Sequence, residues 1–429
     1  MIKETVYPGI DEYMTSFFNY FHREEGRDLA RNYVIGLIMD GERKSVEPMS
    51  EKVNASERSM QRLLTEVKWD EQEVIRKYRR VMLDKTSDSQ GIIAVDDTSF
   101  PKKGRDSVCV SRQYCGRMGK VDNCQIGVSL TYVGQDVAWP YCMDLFVPKQ
   151  WDDLENADCH IRRKKTKMPE TAHHKEKWRM ALDQIDLARF DGVPHRAVVA
   201  DSWYGNFAGF RKGLVDRRES YVVGVYSDTE VFLERPLLEL APPKKKKRGR
   251  PRKFPQVVNV NPQPVKVSDV GERIAQDAWE RLELRRDSKG KPLIAEAVSL
   301  RVWPATGYRQ GNVNEEVSLI IERRESESKG KELRYYFSNM PQCKPTIEMV
   351  RIFHERFWIE HGYQQLKEEL GIDHHEGRSW IGWHRHVILV FLAYGYLTWI
   401  RIQEKKRKSQ EAWKTWIMFR ETAGREFFC

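Results

Sequence analysis

Two short apolar runs, each closed by an acid, restrict the fold of this chain more than any other feature. Residues 91–98 read GIIAVDDT and residues 196–201 read RAVVAD. Both are of strand length, rich in β-branched or small apolar residues and flanked by polar text, so each reads as a buried strand. In open α/β sheets, sites form at the ends of such strands. Side chains alternate faces along a strand, so only one of Asp96 and Asp97 can join a given site. Asp201 ends its strand by the same logic. A plainer reading stays open, in which Asp simply terminates strands as a common turn residue.

Around these runs the pattern is mixed α/β. Residues 123–132 and 137–146 alternate as antiparallel neighbours of the first strand, and residues 221–225 make a further strand. Helical spacing at residues 172–188 and 207–215 places helices between strands, on both faces of the sheet. Between the first two strands, Lys102, Lys103, Arg105, Arg112 and Arg117 make a basic, glycine-containing loop. Residues 1–88 read as an all-helical N-terminal domain. Its two short helices around residues 54–56 resemble a helix-turn-helix with Arg58 and Arg62 exposed, and a plain helical bundle fits equally. The core, residues 89–231 and 334–400, is interrupted by a β-rich insertion at 232–333; a helical tail follows at 401–429. Within the insertion residues 244–253 read KKKKRGRPRK, in which Arg248, Arg250 and Arg252 resemble an AT-hook suited to a narrow A·T minor groove. A solvated basic loop fits the same residues.

Residues 353–367 (FHERFWIEHGYQQLK) predict one continuous helix. At about 100° per residue, Phe353, Arg356, Glu360 and Lys367 share one arc. Ile352, Ile359, Tyr363, Leu366 and Leu370 form an apolar stripe beside it. Such a helix buries one side and offers an acid between bases, although an ordinary amphipathic helix with a solvated edge has the same spacing. Converging strand-end carboxylates repel unless a cation lies between them. Oxygen donors select Mg²⁺ or Mn²⁺ over zinc, and Glu360 would complete a site for two ions and phosphoryl transfer.

The chain carries a formal charge of +10 with a pI near 9.1, which suits a polyanionic partner, most often nucleic acid. Thirteen tryptophans and 40% hydrophobic residues argue for a packed core. Seven cysteines without a CxxC pair fit a reducing compartment. His173-His174 and His374-His375 lack zinc-site spacing. No apolar run reads as long enough to span a membrane, no signal peptide opens the chain, and residues 387–400 read as a core helix.

Strand-DDT, strand-AD-x-x-Y-G, and the spacing of Arg356, Glu360 and Lys367 together resemble the DDE transposases of bacterial insertion sequences. The narrower likeness is to the branch with a Y-x₂-R-x₃-E-x₆-K signature, and PKKG and RQYCGRMGKVDNCQ add to it. The resemblance implies an RNase H-like fold. It implies a catalytic, metal-binding triad of Asp97 (the acid directly before the threonine), Asp201 and Glu360 with two Mg²⁺ or Mn²⁺ ions. Arg356 and Lys367 would hold transposon-end phosphates, and Phe353 stands where the signature has tyrosine. It further implies cleavage of inverted-repeat ends through a DNA hairpin, joining of 3′ ends to target DNA, and a homodimer on double-stranded DNA in a bacterial cytoplasm. Trp303 is the sequence's candidate for stacking a flipped base, and packed core is its plainer role. Two other functions remain consistent with the residues: a non-catalytic DNA-binding descendant and an RNase H-like nuclease or resolvase.

Overall fold

The computed structural model describes residues 7–134, 137–239, 256–257, 263–286, 290, 292–306, 316–326 and 330–425. Arg248, Arg250 and Arg252 of the AT-hook-like tract lie outside these residues.

A mixed sheet organises the molecule. Its central strands are β1 (Ile92–Pro101), β2 (Ser111–Cys115), β3 (Lys120–Val133), β4 (Ala138–Leu145), β5 (Ala197–Ala200) and β6 (Tyr221–Val225). β1 is antiparallel to β3 and parallel to β5, β5 is parallel to β6, and β4 borders β3. This three-antiparallel, two-parallel order fits an RNase H-like fold. The residues expected to form a basic loop between the first strands contain β2, which pairs with β3 as a hairpin.

β7 (Glu230–Phe232), β8 (Leu238–Glu239), β9 (Gln256–Val257), β10 (Val265–Lys266), β11 (Glu280–Arg286), β12 (Pro292–Pro304), β13 (Val317–Ser326) and β14 (Gly330–Ser338) follow. β14 is antiparallel to β6. The strands expected in an inserted subdomain therefore extend the central sheet, in the order β12-β13-β14-β6. Trp303 sits half-buried on β12 opposite Phe232 of β7.

The helices are α1 (Ile10–Thr15), α2 (Glu24–Ile38), α3 (Val46–Lys52), α4 (Glu57–Thr65), α5 (Glu71–Thr86), α6 (Ala157–Lys165), α7 (Lys177–Phe190), α8 (Ser202–Gly205), α9 (Ala208–Asp216), α10 (Val267–Glu272), α11 (Thr346–His354), α12 (Phe357–Gln364) and α13 (Trp380–Arg425). Two apolar layers sandwich the sheet. Ile93, Val95, Val198 and Ala200 pack with Ala181 and Ile185 of α7. Ile92, Ala94, Ala197 and Val199 pack with Met349, Val350 and Ile352 of α11 and Ile359 of α12. Alternation along β1 and β5 thus assigns each residue to one helical layer.

α3 and α4 flank a turn at Asn54, whose φ of 52° is left-handed, and the Ser56 side chain caps α4. Arg58 and Arg62 are exposed, with Arg62 in an ion pair with Glu66. The N-terminal helices share one core with α13 and the sheet. Arg385 of α13 pairs with Glu71 and donates to the Leu63 and Val67 carbonyls, while the Tyr78 hydroxyl donates to the Pro140 carbonyl. α13 crosses the boundary expected at residue 400 without a break. Over Trp380–Arg407 it is long and apolar enough to cross a membrane by length and composition alone, but 72% of its most apolar window is buried against protein. Its apolarity is that of a core helix.

Candidate active site

The parallel pairing of β1 and β5 ends at Val95 opposite Ala200. One step further stand Asp96 and Asp201, side by side on the face covered by α11 and α12. Asp201 has extended backbone and caps α8, accepting from the Tyr204 amide at 3.1 Å. Its approach to β6 depends on glycine, because a Cβ on Gly205 would lie 1.9 Å from the Gly224 carbonyl oxygen. Burial and then the Asp96 charge push the Asp201 carboxyl up to about 6.

Arg356 closes the pair from above. Its guanidinium donates to Asp96 at 2.7 Å and lies 3.5 Å from Glu360. Burial opposes its charge, but Asp96 and Asp201 outweigh burial and raise its pKa. Its Nε is buried without a hydrogen-bond partner among the described residues. Glu360 itself is 65% exposed at the rim. Behind it, the Tyr363 hydroxyl shares a 2.6 Å hydrogen bond with Ser129, the cross-strand partner of Asp96. Lys367 is half-buried, and burial with the nearby Arg117 lowers it to about 8.

Two expectations are corrected. Asp97 leaves β1 on the opposite face from Asp201 and Glu360. It accepts from Lys177 Nζ at 2.9 Å and from the Tyr204 hydroxyl at 3.3 Å, and Lys177 in turn lies over the Trp203 ring. Burial raises the Asp97 carboxyl against the pull of Lys177. Asp96 holds the position beside Asp201 that the motif assigned to Asp97.

The second correction concerns the single helix. Residues 353–367 are divided at Glu355 and Arg356, whose amides bond to the carbonyls of Ile352 and Phe353, and they end in a π turn at Gln365–Glu369. The end of α11 is held by His354 against buried Glu322, which also accepts from Tyr336. Phe353 consequently turns inward onto the Tyr336 ring, with centroids 4.0 Å apart, and does not share the surface of Arg356.

Sequence alone does not mark Lys177, Ser129 or Tyr363 as site residues. Their positions follow from strand pairing and helix docking, which carry no local motif.

Among the described residues, no three His, Cys, Asp or Glu side chains lie close enough to hold one metal ion. The donor set nevertheless fits a hard cation. Asp96 and Asp201 offer oxygen donors set side by side, and burial with the Asp96 charge keeps Asp201 hard to ionise even though Arg356 lies close by.

Residues 16–291 match the family model described as DDE superfamily endonuclease, a stretch that includes Asp96 and Asp201 and stops before α12. The chain is also 22% identical over 364 residues to a protein of Microchaete diplosiphon described as a probable transposase for insertion sequence element IS701, covering 84% of this chain and 80% of that protein. With two acids closing adjacent parallel strands and a family match across most of its length, the chain belongs to the DDE superfamily of endonucleases.

Proposed function

We propose that this protein is an insertion-sequence transposase whose metal-binding acids are Asp96, Asp201 and Glu360. The observation that carries this reading is the Asp96–Asp201 pair on one sheet face with Arg356 over it, which also reaches Glu360 at the rim. Its DNA substrate is the pair of inverted-repeat ends of its element, followed by target DNA.

Divalent ions, Mg²⁺ or Mn²⁺, when bound by these acids, supply activation of the attacking hydroxyl and charge neutralisation at the scissile phosphate. The protein's part is positional. Asp96 and Asp201 are pre-aligned by the β1–β5 register. Arg356 has a donor to spare at its unpartnered Nε and passes from Asp96 to a backbone phosphate. Lys367, whose pKa burial lowers to about 8, is held more firmly in its charged form by a phosphate. Glu360, on the same helix, swings in as Arg356 leaves it.

Arg58 and Arg62 on α4 extend the contact to the duplex, as do Arg248, Arg250 and Arg252. Cutting two ends together calls for a homodimer on DNA. Hairpin excision with a flipped base on Trp303 rests on family resemblance. The described cysteines are free thiols, five of them buried, which suits a bacterial cytoplasm.

The test is a labelled duplex bearing the element's terminal repeat, incubated with the full chain and Mg²⁺. Nicking and 3′-end joining are expected, and Asp96→Ala, Asp201→Ala and Glu360→Ala should each abolish them. An active Glu360→Ala protein would refute the assignment.

A further inference from the structure

The basic stretch between β1 and β3 folds into an exposed ribbon. Tyr114 of β2 stands opposite Val121 of β3, and Arg112 stands opposite Asn123. Cross-strand partners share a face, and this one points outward, with Tyr114 63% and Val121 52% exposed. Met118 at the turn is 49% exposed. The opposite face is closed by a small core of Cys115, Cys124 and Ile126. Large apolar side chains held together in water mark a contact surface.

Cations surround them. Lys103, Arg105, Arg112, Arg117 and Lys120 are all exposed. The Asn123 side chain holds the Lys102 and Gly104 carbonyls at 2.9 and 2.6 Å, which ties the basic loop to the ribbon. The nearby acids are committed, Asp122 to Lys120 and Asp106 to Arg378.

The ribbon is also anchored to the candidate active site. The Arg117 amide bonds the Ser99 hydroxyl at 3.2 Å on β1, the strand that carries Asp96. The Arg117 guanidinium pairs with Asp373, and its charge is felt by Lys367.

We infer that the outward face of the β2–β3 ribbon docks in the major groove of the duplex that crosses the Asp96–Asp201 pair. A two-stranded ribbon fits that groove, where Tyr114 and Val121 meet base edges and thymine methyls. Arg112 and Arg117 meet the flanking phosphates. The ring of cations around the apolar patch favours DNA over a second protein. This inference rests on the DNA-cutting reading above.

The experiment measures binding of the full chain to a short fluorescein-labelled terminal-repeat duplex by anisotropy across a salt series. The double variant Tyr114→Ala, Val121→Ser should lose about tenfold in affinity at an unchanged salt slope. Arg112→Gln should reduce the slope by about one. Both variants should melt like the parent, because the replaced side chains are exposed. Parent-like binding by both variants would overturn the inference and leave the transposase reading intact. So would a double variant that turns a DNA-free dimer into a monomer, since the face would then be a protein interface. A parent chain that binds no duplex would remove the transposase reading and this inference together.

Discussion

The guanidinium of Arg356 donates to the carboxylate of Asp96 at 2.7 Å, joining residues 260 positions apart in the chain. The same guanidinium reaches Glu360 at 3.5 Å. One cation therefore lies among the acids proposed to hold divalent ions.

Arg356→Gln should free Asp96. The prediction is tighter Mn²⁺ binding without DNA, by about tenfold, and weaker duplex binding. Calorimetric titration of the DNA-free protein with Mn²⁺ checks the first effect. Unchanged Mn²⁺ affinity would show that the guanidinium does not compete with metal.

The adjacent acids should behave differently. Asp96→Asn is expected to abolish DNA cleavage at a smaller cost in stability, because relief of its repulsion with Asp201 offsets part of the lost Arg356 pair. Asp97→Asn should leave Lys177 without its carboxylate and cost about 2 kcal/mol, seen as a lower Tm. Activity assayed at equal folded fractions separates the two, and the proposal fails if Asp97→Asn is dead yet fully stable.

Stability should fall as pH rises through the titration of Asp201. Its native pKa, about 6, lies above the ordinary aspartate value of 3.8, so the folded state binds the extra proton between those limits. The metal-free protein then loses up to about 3 kcal/mol from pH 4 to above 6. Asp201→Asn should flatten this part of the curve, and denaturant midpoints measured across that range test it. Mg²⁺ should likewise flatten it in the parent protein.

Gly205→Ala should destabilise the chain or displace Asp201. The new methyl would stand 1.9 Å from the Gly224 carbonyl oxygen, so α8 must move away from β6. A loss of about 2 kcal/mol or more is expected, with impaired cleavage in the fraction that folds. A parent-like Tm together with parent-like activity would contradict the close approach.

Much of this fold is legible in local sequence. The apolar runs ending at Asp96 and Asp201 are strands because their side chains suit burial on both faces, and β1, β3, β4, β5 and β6 all occur where that pattern falls. Helical spacing likewise marks α7, α9 and the apolar part of α13. Tertiary structure alone decided which acid faces Asp201. Parity along β1 separates Asp96 from Asp97, but only pairing with β5 and the docking of α11 and α12 say which face is which. It also decided the break after His354, where buried Glu322 and Tyr336 hold one end and Asp96 draws Arg356 to the other. A helical wheel assumes one axis, and contacts with residues far away in the chain can divide it. The ribbon of β2 and β3 was hidden for a related reason. A two-stranded pairing reads as a loop when its outward residues are basic and its buried ones are cysteines.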